Sequence, residues 1–292
     1  MIRKGIILAG GLGTRLYPTT LGSSKQTLPI YNKPLIYYPL SVLMHADIKK
    51  IAIISTKSDQ NIFKKILGNG SELGIELEYF SQDHPNGIPE AFKICKKFIE
   101  KSPSVLILGD NIFYGSDLPN KLKSISKDEN SASIISYKVK DPENFGVVKV
   151  DKKNKIIVLE EKPKNFVSDL CITGIYFFPK NVTNYVKNLK PSKRGELEII
   201  DLLKIYLKSK KLKNYSLGRG YVWFDTGSHE SMYQATSFVR SIETVQKYHI
   251  GNLHEIAYRK KWISKKQFQN KALKFKKTSY GEYLISILKE KF

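Results

Sequence analysis

Lys4-Gly5-Ile6-Ile7-Leu8-Ala9-Gly10-Gly11-Leu12-Gly13-Thr14-Arg15-Leu16 carries a short apolar run into three glycines and then an arginine. The pattern predicts a buried strand that breaks into an anion-cradling loop. Glycines reach φ > 0 and let backbone N–H groups approach a ligand without Cβ interference, and successive amides in that geometry form a nest for phosphate oxygens. Arg15 adds a bidentate donor. A dinucleotide fingerprint would need a third glycine and an acid about 20 residues on. Leu16 stands at the third-glycine position, and the first acid of the chain is Asp47. A P-loop would close on Gly-Lys-Ser/Thr, which Gly13-Thr14-Arg15 does not supply. A glycine-rich turn without a ligand is the plain alternative. Against it stands the segment from Met1 to Ala46, which holds Arg3, Lys4, Arg15, Lys25 and Lys33 with no carboxylate to offset them. Such a field favours a polyphosphate over a neutral ligand.

Outward from that loop, apolar runs and helical patterns alternate, which predicts an α/β fold. After a proline-punctuated loop from Lys25 to Pro34, a helix is expected over 35–46, with a kink at Pro39. Ile51 to Ser55 reads as a strand, 59–67 as its helix, and the alternation of Ile75, Leu77 and Tyr79 with Glu76 and Glu78 as a half-exposed strand. A helix over 89–100 starts on proline, which the first turn tolerates. Val105 to Leu108 is the clearest buried strand, and it delivers Asp110 at its carboxyl end, where open α/β sheets bind ligands. Further strands are expected at 132–139, 147–150, 156–159 and 172–178, a β-rich middle that predicts a mixed sheet with an antiparallel portion. Arg194-Gly195-Glu196 reads as the opening of a helix running to Lys208. Tyr221 to Phe224 then repeats the pattern at Asp110, an apolar strand ending in Asp225-Thr226-Gly227. The remainder reads as helices.

At 292 residues and 41% hydrophobic content the chain can bury one large core. A catalytic domain over 1–228 with a helical extension over 229–292 is expected. The sequence has no apolar stretch of membrane-spanning length, and its N-terminal apolar run is glycine-broken and too short for a signal sequence, so a soluble, cytoplasmic protein with no membrane partner is expected. Cys95 and Cys171 are too few for a disulfide framework and are expected in the core. The net charge of +22 invites a nucleic-acid reading. Lysines dispersed along helices, with few arginines, argue against one. The histidines show no ligand spacing for zinc.

Two strand-end aspartates with a glycine loop, Arg15 and Lys25 make the parts of metal-assisted phosphoryl or nucleotidyl transfer. Carboxylates hold Mg²⁺, and cations stabilise charge developing on the attacked phosphorus. On the runs Gly10 to Thr20 and Ser24 to Pro34, with Leu108 to Asn111, Asp141 to Glu143, Phe145 to Val148, Glu160 to Pro163, Thr173 to Tyr176, Pro191 to Glu198, Trp223 to Gly227 and Glu255 to Arg259, the sequence resembles the sugar-1-phosphate nucleotidyltransferases over nearly its whole length. The resemblance implies a Rossmann-like α/β fold, with a mixed, mostly parallel central sheet flanked by helices. It also implies the joining of dTTP to glucose 1-phosphate, giving dTDP-glucose and pyrophosphate, with Mg²⁺ as cofactor. Other readings are use of UTP or another nucleotide, and a non-catalytic polyanion-binding relative.

Position by position, the resemblance implies that Leu8, Gly10, Gly11, Gly13, Thr14 and Asn111 line the nucleotide, and that Gln26, Gln82 and Gly87 read its base. Arg15 and Lys25 would neutralise phosphate charge, and Asp110 and Asp225 would hold the metal. Gly146, Glu161, Ile172 and Tyr176 would line the sugar pocket, with Lys162, Arg194 and Trp223 at its phosphate. The family also implies a homotetramer inhibited by its dTDP-sugar end product at a second site. Tyr114, Gly115, Gly218, Arg219, Gly220, Glu255, Ile256 and Arg259 match that site. The chain departs from the family pattern at Pro89 and Glu90, where relatives have alanine and glutamine, at Phe145 for tyrosine and at Pro119 for histidine.

Overall fold

The computed structural model describes residues 3–290. Strand β1 (Lys4–Leu8) buries Gly5, Ile6 and Ile7 at its centre, and its glycine loop leads to a short hairpin, β2 (Pro29–Ile30) and β3 (Lys33–Pro34). Helix α1 (Tyr37–His45) follows. Pro39 lies in its first turn, where no helical N–H is required, so it produces no interior break and the expected kink has no cause. Next come β4 (Lys50–Ser55), α2 (Gln60–Leu67) and β5 (Glu76–Ser81). The helix expected over 89–100 divides at Cys95 into α3 (Glu90–Ile94) and α4 (Lys96–Ile99).

The strand β6 (Ser104–Leu108) ends at Gly109-Asp110, and β7 (Asn111–Gly115) begins at once. Then follow α5 (Leu118–Ser126), β8 (Ala132–Lys138), β9 (Gly146–Val150), β10 (Ile156–Glu161), β11 (Leu170–Phe178), α6 (Val182–Val186) and α7 (Ile199–Lys208). Arg194 to Glu196 therefore form a turn ahead of α7 and are not its first residues. The Ser192 hydroxyl and backbone shape that turn, receiving bonds from the amides of Arg194 and Gly195. After β12 (Leu212–Ser216) and β13 (Tyr221–Asp225) the chain is helical: α8 (His229–Gln246), α9 (Leu253–Arg259), α10 (Lys265–Lys274) and α11 (Ser279–Lys289). Side chains of Ser228, Asn252, Ser264 and Thr278 cap the starts of these four helices, each accepting a backbone N–H.

One nine-stranded mixed sheet runs in the order β10-β9-β11-β6-β1-β4-β5, with β8 and then β12 branching from β11. Parallel pairing holds across β6, β1, β4 and β5, and antiparallel pairing across β6, β11, β9 and β10. Two apolar layers pack on its faces. One is built on Phe92, Phe178 and Tyr206. The other is built on α1 and extends into α9, α10 and α11 through Leu253, Phe268 and Leu284. Both cysteines are buried. Strand β13 does not join this sheet: it pairs antiparallel with β7 as a separate two-stranded ribbon. That ribbon positions the site, because Asp225 lies opposite Asn111 in its register, one residue from Asp110.

Candidate active site

The site opens at the carboxyl ends of β1 and β6. Gly109 N–H donates to the Leu8 carbonyl at 2.9 Å, which ties the two strand ends together beneath the glycine loop. Any Cβ at Gly10 would stand 2.6 Å from the Gln82 Oε1, and Gly13 takes φ of 63°. Glycine is needed at the first for space and at the second for conformation. The Thr20 hydroxyl holds the Gly13 carbonyl at 2.8 Å, closing the loop back on itself.

Lys25 is nearly buried, and its Nζ donates to Asp110 Oδ2 at 2.6 Å. The other Asp110 oxygen accepts from Asn111 Nδ2 at 2.9 Å. The Thr226 amide and hydroxyl both donate to the Asp110 carbonyl, at 3.1 and 2.8 Å, so the segment bearing Asp225 is fastened to the segment bearing Asp110. Burial and the neighbouring Asp110 charge push the Asp225 carboxyl up to about 6, against the pull of Lys25 and Arg15. Two carboxylates that repel each other at the mouth of a cleft form a donor set that a divalent cation would relieve. Among the described residues no group of three or more His, Cys, Asp or Glu side chains is arranged for a metal. A pair of carboxylates suits Mg²⁺, which keeps several water or phosphate oxygens of its own.

Beyond the aspartates lies a cleft of about 750 Å³. Its walls bring together Arg15, Asp110, Gly146, Glu161, Lys162, Ile172, Tyr176, Arg194, Trp223 and Asp225, so all the residues expected at the sugar and its phosphate share one space with both aspartates. Glu161 closes β10 opposite Gly146, where a Cβ would meet its Oε2 at 3.1 Å. Burial first, then the Glu198 charge, raises the Glu161 carboxyl, and Arg194 at 3.7 Å opposes the rise. Arg194 is itself held by Glu198 at 2.7 Å. Trp223 is largely buried, packs edge-on against Phe145 and Tyr137, and donates from Nε1 to Asn111 Oδ1 at 2.6 Å. That oxygen also accepts from Gly174 N–H. The Asn111 side chain thus braces Asp110, Trp223 and β11 from within.

Gly87 adjoins Ile88 and Leu197, both on the wall of this cleft, and Gln82 lies against Gly10 at the start of the glycine loop. Gly87 has φ of 98°, and a Cβ there would lie 2.1 Å from the Leu197 carbonyl oxygen. Tyr114 and Gly115 end the ribbon strand β7 opposite Val222 and Tyr221, just after the Gly218 to Gly220 turn. Glu255 and Arg259 lie on α9 and pair at 2.7 Å, with the Tyr283 hydroxyl also donating to Glu255 at 2.6 Å.

Two features escaped the reading of the residues. One is the pair Lys33 and Glu243, buried and 2.7 Å apart, which ties the β2–β3 hairpin to α8. Its signal in the sequence was only a lysine in an acid-free stretch, with the acid 210 residues away. The other is the engagement of Glu90, read from the sequence only as a departure from the family pattern: its carboxylate accepts from Gln82 Nε2 and Asn86 Nδ2, each at 2.8 Å.

Comparison with known proteins identifies the family and the fold. Residues 4–242 match the family model described as nucleotidyl transferase. A Neisseria gonorrhoeae glucose-1-phosphate thymidylyltransferase is 48% identical over 285 residues, covering 98% of this chain and 99% of its own. One from Mycolicibacterium smegmatis is 43% identical over the same shares of both chains. A Bacillus anthracis crystal structure described as a glucose-1-phosphate thymidylyltransferase in complex with sucrose superposes with a TM-score of 0.76 at 40% identity, covering 82% of this chain and 96% of that one.

Proposed function

The chain belongs to the glucose-1-phosphate thymidylyltransferase family of nucleotidyl transferases, and on that premise we propose that it joins dTTP and glucose 1-phosphate into dTDP-glucose with release of pyrophosphate. The observation that carries the proposal is the continuity of Lys25, Asp110 and Asp225 with the cleft of Glu161, Lys162 and Arg194. A phosphate-neutralising cluster and a hydroxyl-accepting, phosphate-binding pocket open onto one space.

An oxygen of the sugar phosphate attacks the α-phosphorus in line, and pyrophosphate leaves from the opposite face. The attacking oxygen is anionic near neutral pH, so no protein base is called on, and catalysis reduces to alignment and charge neutralisation. The Gly10 to Thr14 amides cradle the triphosphate, while Arg15 and Lys25 oppose charge developing on the leaving group. Glu161 accepts sugar hydroxyls, and Lys162 and Arg194 hold the sugar phosphate against the α-phosphorus. Asp110 and Asp225 would hold Mg²⁺, which when bound supplies positive charge to the phosphate oxygens. Lys25, paired with Asp110, would also offer its ammonium to phosphate oxygens.

We assign residues 1–228 to catalysis and 229–292 to subunit contact and effector binding. The matching residues Tyr114, Gly115, Gly218 to Gly220, Glu255, Ile256 and Arg259 would then take a dTDP-sugar in a homotetramer, with a coupling of about 1–3 kcal/mol between sites. No helix among the described residues is long and apolar enough to cross a membrane. We propose that the reaction runs in the cytoplasm, ahead of dTDP-deoxysugar synthesis for surface polysaccharide; its two substrates, a nucleoside triphosphate and a sugar phosphate, support that reading. Pyrophosphate release measured with each nucleoside triphosphate and sugar 1-phosphate in Mg²⁺ tests the reading. The expected best pair is dTTP with glucose 1-phosphate. A preference for UTP or CTP by more than about tenfold in kcat/KM would overturn the base assignment, and salt-sensitive nucleic-acid binding with no turnover would overturn the reaction.

A further inference from the structure

We propose that Glu90 selects the edge of the pyrimidine base, by locking the Gln82 side-chain amide with its oxygen toward the nucleotide. The inference rests on the proposed reaction and on Gln82 reading the base. An ionised carboxylate accepts hydrogen bonds and donates none. Gln82 meets Glu90 Oε2 at 2.8 Å, and chemistry leaves only its Nε2 for that contact. The amide oxygen is thereby turned the other way, 2.6 Å from the point a Cβ of Gly10 would occupy, toward the glycine loop. Among the described residues no donor is directed at it.

The second oxygen of Glu90 is also engaged, accepting from Asn86 Nδ2 at 2.8 Å. The backbone of Asn86 in turn accepts from Leu197 N–H at 2.9 Å, one residue before the positive-φ Gly87. One half-buried carboxylate therefore fixes both the amide and the turn expected at the base.

The consequence is a fixed acceptor. A pyrimidine-2,4-dione ring such as thymine or uracil carries an N–H at N3, which satisfies an acceptor. Cytosine carries a lone pair at N3, which opposes one. A free glutamine amide would rotate to serve either base at little cost, and Glu90 removes that freedom. Glu90 is thus a positioning residue that acts through Gln82.

The test uses the full-length protein with Mg²⁺, glucose 1-phosphate, and dTTP, dUTP or dCTP, so that the nucleotide sugar is constant. Glu90→Leu removes the acceptor, while Glu90→Gln retains a carbonyl able to take the Gln82 N–H. In Glu90→Leu the dTTP-over-dCTP ratio of kcat/KM is expected to fall about tenfold, equivalent to about 1.4 kcal/mol, mostly through KM. The dTTP-over-dUTP ratio should stay in place, and Glu90→Gln should keep most of the discrimination. An unchanged dTTP-over-dCTP ratio in an active Glu90→Leu variant overturns the inference alone. So does a KM rise shared equally by all three nucleotides, the mark of a merely structural role. Should Glu90→Leu fail to fold, the wild-type protein with N3-methyl-dTTP decides: use at least about tenfold poorer than dTTP supports the fixed acceptor, and equal use refutes it. A wild-type protein that turns over none of the three nucleotides overturns the proposed reaction and this inference together.

Discussion

Breaking the buried pair Lys33–Glu243 should destabilise the protein unequally from its two ends. Both side chains are at most 2% exposed, and they join at 2.7 Å. Burial pulls the Lys33 ammonium below its usual pKa even with Glu243 beside it, so attraction does not fully offset desolvation. Glu243 accepts from Lys33, from Asn32 Nδ2 at 2.8 Å and from the Ile250 N–H at 3.0 Å. Glu243→Leu therefore leaves a buried cation with only the neutral Asn32 Oδ1 of these acceptors and strands two neutral donors, whereas Lys33→Met leaves an anion that keeps two donors. Removing one member of a buried pair costs about 3–5 kcal/mol, and each orphaned donor about 1–3 kcal/mol. We expect Lys33→Met near the lower figure, about 3 kcal/mol, and Glu243→Leu at or above about 5 kcal/mol. The double variant strands only the neutral donors and should cost less than Glu243→Leu alone. Urea denaturation at neutral pH, read as midpoint and slope, measures all three. A Glu243→Leu variant more stable than Lys33→Met, or a coupling energy below about 1 kcal/mol, would refute the reasoning.

Asp225→Asn should lower turnover at least about a hundredfold while raising stability in EDTA. The folded pKa is raised from 3.8 to about 6, so the stabilisation from holding the proton is complete below the lower value and lost above the higher. The neutral amide should gain over the wild type at pH 7.5 and not at pH 4, which melting at both pH values checks. His45 and His249 are half-buried and His254 is buried; desolvation lowers each to about 4, with nearby Lys260, Lys33 and Lys271 also opposing their protonation. Their contribution to stability is present above pH 6.5 and lost as pH falls toward 4, so unfolding near pH 5 should take up as many as three protons, up to about 4 kcal/mol per pH unit. Replacing all three with neutral residues should flatten that slope, and an unchanged slope would assign acid lability elsewhere. Gly87→Ala should raise KM for the nucleotide several-fold and lower the melting temperature, because its methyl would lie 2.1 Å from the Leu197 oxygen at a φ of 98°. Unaltered nucleotide affinity would detach this turn from the base.

The sequence by itself determined the strand-to-glycine-loop opening, the delivery of Asp110 at a strand end and the helical character of the last part of the chain. These rest on local rules: buried strands read as apolar runs, glycine marks close backbone approach, and serine, threonine and asparagine mark helix starts. It also carried the run Tyr221 to Asp225 as a strand, but not its partner. Only tertiary structure decided that β13 leaves the main sheet to pair with β7 and set Asp225 beside Asp110. Antiparallel pairing across more than a hundred residues is a long-range choice, made by what each strand can bury, and no local signal encodes it. The same reason hides Lys33 from Glu243, and even Gln82 and Glu90, eight residues apart, meet only because the intervening turn brings them together. Hydrogen-bond partners are chosen by proximity in space, and the sequence records only that each group must find one.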